Sequence, residues 1–525
     1  MMRQYLVAVD VGTGSARAGV FDAGGRLMAR STHPILMQRP KENHAEHNST
    51  DIWNAVCVAV RKAMADADIP ASRVAAIGFD ATCSLVVRGC EGEPVTVSTT
   101  GEARFDTVVW LDHRAIAEAD HLTASAHPVL DFAGGSISPE MQMPKLMWLK
   151  KHLPESWSKA GYFFDLADFL TWKASGNSRR SNCTLTAKWN FLAHEGKGWS
   201  RDYLDLADVS DLLQRGNLPA ETVAPGQSVG KLCQQAADEL GLDTGCEVAA
   251  GMIDAYAGAL GALGGSLQSD VGSNVALIAG TSSCLVTLTP KRMHGHSLWG
   301  PYWQAVLPGH WLVEGGQSAT GALLDHVVRM HAAGGEPTPE LHARIVQRVL
   351  ELRGTEGESF AEHLHVLPDF HGNRSPLADP HARGVVSGLT LDTSFDSLCR
   401  LYWRTSVAIA LGARHVLDAM EGFGYTVETL HVTGGHVHNP LLMELYADVT
   451  GKRIVVPATA DAVLLGTAMT AASAGGVHHG LVAAGAAMYP GGEERRASGQ
   501  FDDRYERDYR RFLAMYRHRE ELERM

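Results

Sequence analysis

The chain has 525 residues, of which 45% are hydrophobic and 20% charged, as in ordinary globular enzymes. A chain of this length can bury more than one core, so its stability requires neither disulfides nor a structural metal. Its 46 Lys and Arg residues against 59 Asp and Glu give a net charge of −13. This balance disfavours a nucleic-acid partner, because phosphate backbones bind basic surfaces.

Several features bear on cellular location. Asp10 and Arg17 interrupt the N-terminal segment before an apolar stretch can form, so we expect no secretory signal. The uncharged run 271–290 contains several Ser, Thr and Asn residues, which disfavours a membrane span. The eight cysteines form no C-x-x-C pair. We therefore expect a cytoplasmic protein with reduced thiols and no membrane partner.

The first eighty residues predict strands, a helix and a further strand in alternation. Ser49, Thr50 and Asp51 offer N-cap chemistry for the helix, whose apolar residues repeat at helical spacing. The predicted elements are strands 5–11, 16–21 and 26–35, helix 52–67 and strand 74–79. Strands that alternate with helices predict an α/β sheet.

The second half repeats this order. It predicts strands 275–279 and 284–288, helix 397–420, strand 429–433, helix 439–450, strand 453–456 and helix 462–474. Glycines cluster at 258–265, which places a boundary near 255–270. At the C-terminus, Tyr505, Tyr509, Phe512 and Tyr516 recur at helical spacing, and we expect a charged helix that packs on the body, with a partner-binding helix as the alternative.

Two short segments share the pattern G-T-x-S between strands: Gly12 to Ser15 and Gly280 to Ser283. Glycine lets the backbone approach a phosphate, and the exposed N–H groups of such a turn bind anions. Thr13 and Ser15 add hydroxyl donors, Arg17 adds a positive charge, and Asp10 at the strand end could hold a metal ion through water. The alternative is a plain hairpin turn with a capping Asp.

Asp254 is a lone acid in the apolar, glycine-rich segment 251–261. A buried carboxylate is costly unless it is paired or functional, which favours a general base that accepts a proton from an alcohol. A helix N-cap is the alternative role.

Other catalytic patterns are weak or absent. The sequence contains neither a P-loop nor the catalytic loop of protein kinases. Residues 226–230 fit the G-x-S-x-G pattern of hydrolases, but no hydrophobic strand precedes Ser228. Paired histidines at 44 and 47, 294 and 296, 363 and 365, and 436 and 438 lack a third ligand in register, so we expect no zinc site.

Together these segments resemble the FGGY carbohydrate kinases of the actin-like ATPase superfamily, most of all the D-ribulokinase branch. The resemblance spans about residues 4–475. It rests on DVGTGSAR (10–17), GFDATCSLV (78–86), VWLDHRA (109–115), PKLMWLK (144–150), FFDLADFLTWKASG (163–176), GMIDAYAGALG (251–261), AGTSSC (279–284), EGGQSATG (314–321), PDFHGNRSPLADP (368–380) and TGGHVHNPLL (433–442).

The resemblance implies an α/β protein with two actin-like (ribonuclease H-like) ATPase domains flanking a central cleft. The implied N-terminal domain, residues 1–265, holds the sugar site, the first phosphate loop and the catalytic base. The implied C-terminal domain, residues 266–485, holds the nucleotide site, and residues 486–525 are expected to form a charged C-terminal helix that packs back on the body.

The resemblance also implies roles for single residues. Asp254 corresponds to the catalytic base and, with Asp10, to the metal site. The implied sugar-binding residues are Thr82, Cys83, Ser84, Asp112, Lys188 and Glu314. The implied ATP-binding residues are Thr13, Gly14, Ser15, Arg17, Gly280, Thr281, Gly316, Thr320, Gly435 and Asn439.

The implied reaction is the transfer of the γ-phosphoryl group of ATP, with Mg²⁺, to a ketopentose, with D-ribulose giving D-ribulose 5-phosphate. Alternative acceptors are L-ribulose, D-xylulose and ribitol, and a non-kinase actin-like ATPase is the alternative class. The expected partners are the sugar and ATP, and a homodimer stays open.

Overall fold

The computed structural model describes residues 3–293, 295–500 and 502–525. His294 of one histidine pair, and Met1 and Met2 of the first predicted domain, lie outside the described residues. The chain divides into two compact units. The first unit comprises Met1–Val271, Leu288–Val313 and Thr459–Gly491, and the second comprises Gly272–Thr287, Glu314–Ala458 and Gly492–Met525.

The elements alternate between strand and helix over much of the chain, so the predicted α/β class is confirmed. The strands are β1 (Tyr5–Val11), β2 (Ser15–Phe21), β3 (Leu27–Pro34), β4 (Met37–Gln38), β5 (Glu46–His47), β6 (Val74–Ala81), β7 (Leu85–Gly89), β8 (Thr107–Val108), β9 (Ala160–Asp165), β10 (Ser228–Lys231), β11 (Glu247–Ala249), β12 (Met252–Ile253), β13 (Asn274–Ala279), β14 (Ser283–Thr289), β15 (Trp299–Trp303), β16 (Trp311–Gln317), β17 (His365–Leu367), β18 (Val385–Ser387), β19 (Thr429–Thr433), β20 (Arg453–Pro457) and β21 (Gly492–Arg495).

The helices vary from a single turn to 28 residues. They are α1 (Ser49–Ala67), α2 (Ile116–Ala124), α3 (Gln142–His152), α4 (Pro154–Lys159), α5 (Leu166–Ser175), α6 (Asn182–Lys188), α7 (Arg201–Leu206), α8 (Leu212–Arg215), α9 (Gln234–Leu240), α10 (Asp254–Leu263), α11 (Gly321–Met330), α12 (Pro339–Glu356), α13 (Phe395–Gly422), α14 (Pro440–Thr450), α15 (Ala462–Ala474), α16 (Gly480–Met488) and α17 (Asp502–Glu523).

The first unit is built on a sheet with strand order β10-β11-β6-β1-β2-β3, and β12 also pairs with β6. β1, β11 and β12 are each parallel to β6, whereas β2 is antiparallel to β1. β1 and β6 are buried along almost their whole length, which explains their continuous apolar runs. A second sheet, β4-β5-β8-β7-β9, carries the residues around 82–110.

Helix α1 begins earlier than the sequence predicts. Asn48 is its N-cap, and the side-chain oxygen of Asn48 accepts from the backbone N–H groups of Thr50 and Asp51. The residues predicted to supply the cap, Ser49, Thr50 and Asp51, instead form the first helical turn. An Asn side chain satisfies free N–H groups as well as Ser or Asp, so both starts were chemically sound.

In the second unit, the main sheet includes the order β16-β14-β13-β19-β20-β21. β13 and β14 form an antiparallel hairpin and β13 is parallel to β19, as β1 and β2 form a hairpin with β1 parallel to β6. The two G-T-x-S segments therefore occupy equivalent turns in equivalent topologies.

The units do not follow the contiguous ranges of the sequence prediction, because residues 288–313 and 459–491 belong to the first unit. Helix α15 lies in the second predicted range but packs on α10, β1 and β6 of the first unit. The C-terminal helix α17 packs in the second unit, where Arg404 donates to Asp508 over 2.7 Å and Arg519 donates to Asp369 over 2.7 Å.

Candidate active site

Three carboxylates lie where neighbouring parallel strands end. Asp10 in β1 is the register partner of Asp80 in β6, and Met252 of β12 pairs with Asp80 from the other side. Asp254 follows β12 directly and is the first residue of α10, with Ile253 as the N-cap. The carboxyl ends of parallel strands share one edge of a sheet, which is where α/β proteins bind ligands. Asp254 thus has a helix N-terminus to stabilise its negative charge.

Arg17 connects this edge to α15. Arg17 is the register partner of Asp10 in the β1–β2 hairpin, and its guanidinium donates to the Asp10 carboxylate and, over 2.8 Å, to Asp461. Asp461 also caps α15 by accepting from the N–H of Leu464. Burial raises the pKa of Asp10, and the positive charge of Arg17 opposes that rise. About a third of the Arg17 side chain stays exposed, so the guanidinium is accessible at this edge.

Asp80 is fully buried and is held by α15, because the Thr467 hydroxyl donates to its Oδ2. Burial, together with the charges of Asp10 and Asp254, raises the pKa of Asp80 well above its usual value. Among the described residues, no donor faces Asp80 Oδ1. The raised pKa keeps a proton on Asp80, which lessens the repulsion between its carboxyl group and the adjacent Asp10 carboxylate.

The first predicted phosphate loop is a tight hairpin turn. The N–H of Gly12 donates to the carbonyl of Ser15 over 3.0 Å, and the carbonyl of Gly14 accepts from Ile35 over 2.9 Å. Apart from its chain neighbours Thr13 and Ser15, no heavy atom of the described residues lies within 4 Å of the position of a Cβ at Gly14. This open space, beside the Thr13 and Ser15 hydroxyls, could accept an anion.

Four of the predicted sugar-binding residues are brought together. The hydroxyls of Thr82 and Ser84 lie 3.1 Å apart, and the carbonyl of Cys83 between them accepts from Gln142 Nε2 over 2.9 Å. Lys188 is buried, its Nζ lies 4.6 Å from the centroid of the Trp299 ring, and its positive charge opposes the rise of the Cys83 pKa. That pKa is raised by burial to about 12, so the Cys83 thiol is not a nucleophile.

Asp112 does not join this group. Its carboxylate is fully buried and accepts from Arg114 Nε and Nη2 over 2.8 and 2.7 Å, and from the N–H of Ala45 over 2.6 Å. These bonds, with a further one from the Arg114 N–H, occupy both carboxylate oxygens. The structure therefore gives Asp112 a structural role in place of the predicted sugar contact.

In the second unit, the loop at Gly280 and Thr281 contacts the start of α11. Thr320, which precedes α11, donates from its hydroxyl to the Gly280 carbonyl over 3.1 Å and from its N–H to the Thr281 carbonyl over 2.9 Å. Gly316 in β16 is required for close approach, because a Cβ there would lie 2.5 Å from the Ser283 carbonyl. Glu314, two residues earlier in β16, is buried.

The remaining two predicted nucleotide residues lie at the start of α14. Asn439 is its N-cap and accepts from the N–H of Leu441 over 3.1 Å, whereas a Cβ at Gly435 would meet open space. His436 between them is buried, and burial lowers its pKa to about 4. Its Nε2 lies 3.1 Å from the Gly280 carbonyl, so a neutral His436 connects this turn to the G-T loop.

Sequence reasoning missed Asp80, Asp461 and Thr467. Asp80 ends the apolar run of β6 just as Asp10 ends that of β1, and that lone acid was a readable signal. Asp461 and Thr467 carried no such signal in the sequence, since their hydrogen-bond partners lie far away in the chain. The G-x-S-x-G segment was a decoy, because Ser228 opens β10 and its hydroxyl donates to Glu247 over 2.6 Å.

The carboxylate oxygens at the strand ends are of the kind that binds a divalent cation. In the described part of the chain, no group of three or more His, Cys, Asp or Glu side chains is close enough to hold a metal alone. Mg²⁺ at nucleotide sites is usually held by one or two carboxylates together with phosphate oxygens and water. Asp10, beside the open turn at Gly14, fits that arrangement.

None of the helices among the described residues combines the length and hydropathy needed to cross a bilayer.

Comparisons with known proteins agree on one family. Residues 5–261 match the N-terminal domain, and residues 275–475 the C-terminal domain, of the FGGY family of carbohydrate kinases. An FGGY carbohydrate kinase domain-containing protein of Danio rerio is 41% identical, covering 98% of both chains. A D-ribulokinase of Saccharomyces cerevisiae is 36% identical, covering 90% of this chain and 72% of its own length. The crystal structure of xylulose kinase from Rhodospirillum rubrum superposes with a TM-score of 0.80 at 20% identity, covering 99% of each chain.

Proposed function

Because this chain belongs to the FGGY family of carbohydrate kinases, we propose that it transfers the γ-phosphoryl group of ATP to a hydroxyl of D-ribulose. The observation that carries the proposal is the placement of Asp254 beside Asp10 and Asp80, at the strand ends next to the Gly12–Ser15 turn. Support for D-ribulose comes from the 36% identity to a protein named D-ribulokinase. L-Ribulose, D-xylulose and ribitol are the competing acceptors.

Asp254 is the proposed general base. Phosphoryl transfer is chiefly a matter of positioning and charge, and a carboxylate must lie within hydrogen-bonding reach of the attacking hydroxyl. The N-terminus of α10 stabilises the ionised form of Asp254, so the carboxylate is available to accept the proton. Asp80 is too deeply buried to serve, because its pKa is raised and its Oδ2 is bound by Thr467.

The Gly12–Ser15 turn is the proposed site for ATP phosphates. Its backbone is held by the hairpin before any ligand binds, and donors that are positioned in advance stabilise developing charge without reorganisation. Arg17 supplies a positive charge already oriented by Asp10 and Asp461. In the second unit we propose nucleotide contacts from Gly280, Thr281, Gly316, Thr320, Gly435 and Asn439.

Asp10 is the proposed carboxylate for Mg²⁺, with Asp254 as a further oxygen donor. When bound, Mg²⁺ neutralises charge on the transferring phosphoryl oxygens. Arg17 supports this role, because its guanidinium donates to the Asp10 carboxylate and orients it. The proposed sugar contacts are Thr82, Cys83, Ser84, Lys188 and Glu314, whose polar groups can pair with sugar hydroxyls. The eight cysteines, all within the described residues, are free thiols, which supports the proposed cytoplasmic location.

The test is a coupled ADP-release assay on the purified protein with ATP and Mg²⁺. It compares D-ribulose, L-ribulose, D-xylulose, ribitol and glycerol, and we expect the highest kcat/KM with D-ribulose. A higher value with another acceptor would replace D-ribulose, and ADP release that no acceptor stimulates would remove the kinase proposal.

The variant Asp254→Asn tests the base. It should lower kcat by roughly 10²–10⁴ while nucleotide binding survives, because the amide cannot accept the proton but keeps an oxygen that can face Mg²⁺. Asp66→Asn, at a surface carboxylate paired with Lys62, is the matched control and should keep full turnover. Near-normal turnover of Asp254→Asn would assign the base to another residue.

A further inference from the structure

Trp110 hydrogen-bonds to both candidate ligand segments of the first unit. Its indole Nε1 donates to the Thr13 hydroxyl of the phosphate loop over 2.9 Å. Its backbone N–H donates to the Ser84 hydroxyl of the sugar segment over 3.1 Å. Thr13 and Ser84 are therefore joined through a single residue.

The backbone of Trp110 is itself held in place by a buried lysine. Lys145 is 1% exposed, and its ammonium donates to the carbonyls of Val109, Trp110 and Glu140 over 3.2–3.3 Å. An ammonium group has three N–H donors, so these bonds use all of them. The backbone of Trp110 is thus restrained at its carbonyl by Lys145 and at its N–H by Ser84.

The contact decides how the Thr13 hydroxyl points. A hydroxyl has one donor and two acceptor positions. Because the Thr13 oxygen accepts from the indole N–H, its own hydrogen must point away from Trp110 and is free to donate to another acceptor. A phosphate oxygen in the turn would meet a hydroxyl already oriented as a donor, which is the kind of preorganisation that strengthens anion binding.

We propose that Trp110 is a positioning residue that orients the Thr13 hydroxyl toward ATP phosphates and couples sugar binding at Thr82–Ser84 to nucleotide binding. A sugar that hydrogen-bonds to Ser84 changes the acceptor of the Trp110 N–H, and the rigid indole carries that change to Thr13. The proposal rests on the proposed function for the identity of the two ligands. By thermodynamic linkage, the sugar must change nucleotide affinity by the same factor as nucleotide changes sugar affinity.

The first experiment needs no sugar. Calorimetry measures the Kd of the β,γ-imido analogue of ATP with Mg²⁺ for the wild type, Trp110→Phe, Thr13→Val and the double variant. Trp110→Phe keeps a ring and removes the N–H, so we expect a Kd about three- to tenfold higher, the range of one hydrogen bond. Trp110→Phe should have little further effect once Thr13→Val has removed the acceptor. Thr13→Ser keeps the hydroxyl and should retain most of the affinity.

The control Trp53→Phe makes the same chemical change elsewhere. The Trp53 indole donates to Glu239 over 2.5 Å, so this variant also loses one indole hydrogen bond, and its Kd for the analogue should match that of the wild type. A wild-type Kd in Trp110→Phe, or effects of Trp110→Phe and Thr13→Val that simply add, would overturn the proposal.

The second experiment repeats the titrations with saturating D-ribulose. We expect the sugar to change the nucleotide Kd of the wild type and to change that of Trp110→Phe by a smaller factor. An equal factor in both proteins would overturn the coupling. The activity screen on the wild type judges the proposed function separately, so a wild type that phosphorylates no sugar refutes that function, whereas the sugar-free cycle still decides the role of Trp110.

Discussion

Helices α10 and α15 approach so closely that residue 466 cannot carry a side chain. A Cβ at Gly466 would lie 1.9 Å from the carbonyl oxygen of Ala257 and 2.8 Å from the amide nitrogen of Gly261. Helix α10 begins with Asp254, and α15 contains Thr467, which donates to Asp80. The packing of these two helices therefore sets where the proposed base lies relative to the other carboxylates.

The substitution Gly466→Ala tests this packing. An ordinary contact needs 3.4 Å, so the helices must separate by about 1.5 Å, and a densely packed interior cannot absorb such a shift without strain. Overpacking of this kind lowers the free energy of unfolding by about 1–3 kcal/mol. A displacement of about 1 Å at a reacting group can lower turnover on the order of 10²-fold. We expect Gly466→Ala to lower both the free energy of unfolding and turnover, with a larger effect on kcat than on KM.

The assays are coupled ADP release for kcat and KM, and thermal unfolding for stability. The matched control is Gly354→Ala in α12, where a Cβ would meet no heavy atom of the described residues within 4 Å outside its own helix turn. That variant should be neutral or more stable by up to about 1 kcal/mol, because alanine favours a helix over glycine. Wild-type turnover and stability in Gly466→Ala would refute the claim that close helix packing positions Asp254.

Two further predictions concern buried carboxyl groups. Burial and the nearby Asp168 raise the pKa of Asp165 to about 8 from 3.8. Between these two pH values the native state holds a proton that the unfolded chain releases. The free energy of unfolding therefore falls as the pH rises from about 4 to about 8. Asp165→Asn should make the free energy of unfolding nearly independent of pH in this range and raise it at pH 7 by about 4 kcal/mol. Urea unfolding at several pH values measures both effects, and an unchanged pH dependence would contradict the prediction. Asp112→Asn weakens the buried ion pair with Arg114 and should lower the free energy of unfolding by about 3 kcal/mol in the same assay. The KM for the sugar should not change. A raised KM at unchanged stability would instead show that Asp112 contacts the sugar.

Local patterns in the sequence were sufficient for many of the elements. Strands 5–11 and 429–433 and helix 462–474 were predicted to the residue, because apolar runs there end at glycines or turns. The carbohydrate-kinase class and the two-domain architecture were also predicted and are confirmed by the family match and the superposed structure. Asp254 and Asp10 stood out because a lone acid in an apolar segment is costly without a role.

What the sequence determined by itself was the order of strands and helices, the two G-T turns and the candidate acids, since each depends on neighbours a few residues away. Tertiary structure alone decided which of these side chains meet. Asp80 and Thr467 are separated by 387 positions and meet only because α15 packs on β6. Asp112 proved to pair with Arg114 because both are buried together. Burial and register between distant strands decide such contacts, and no local pattern encodes them.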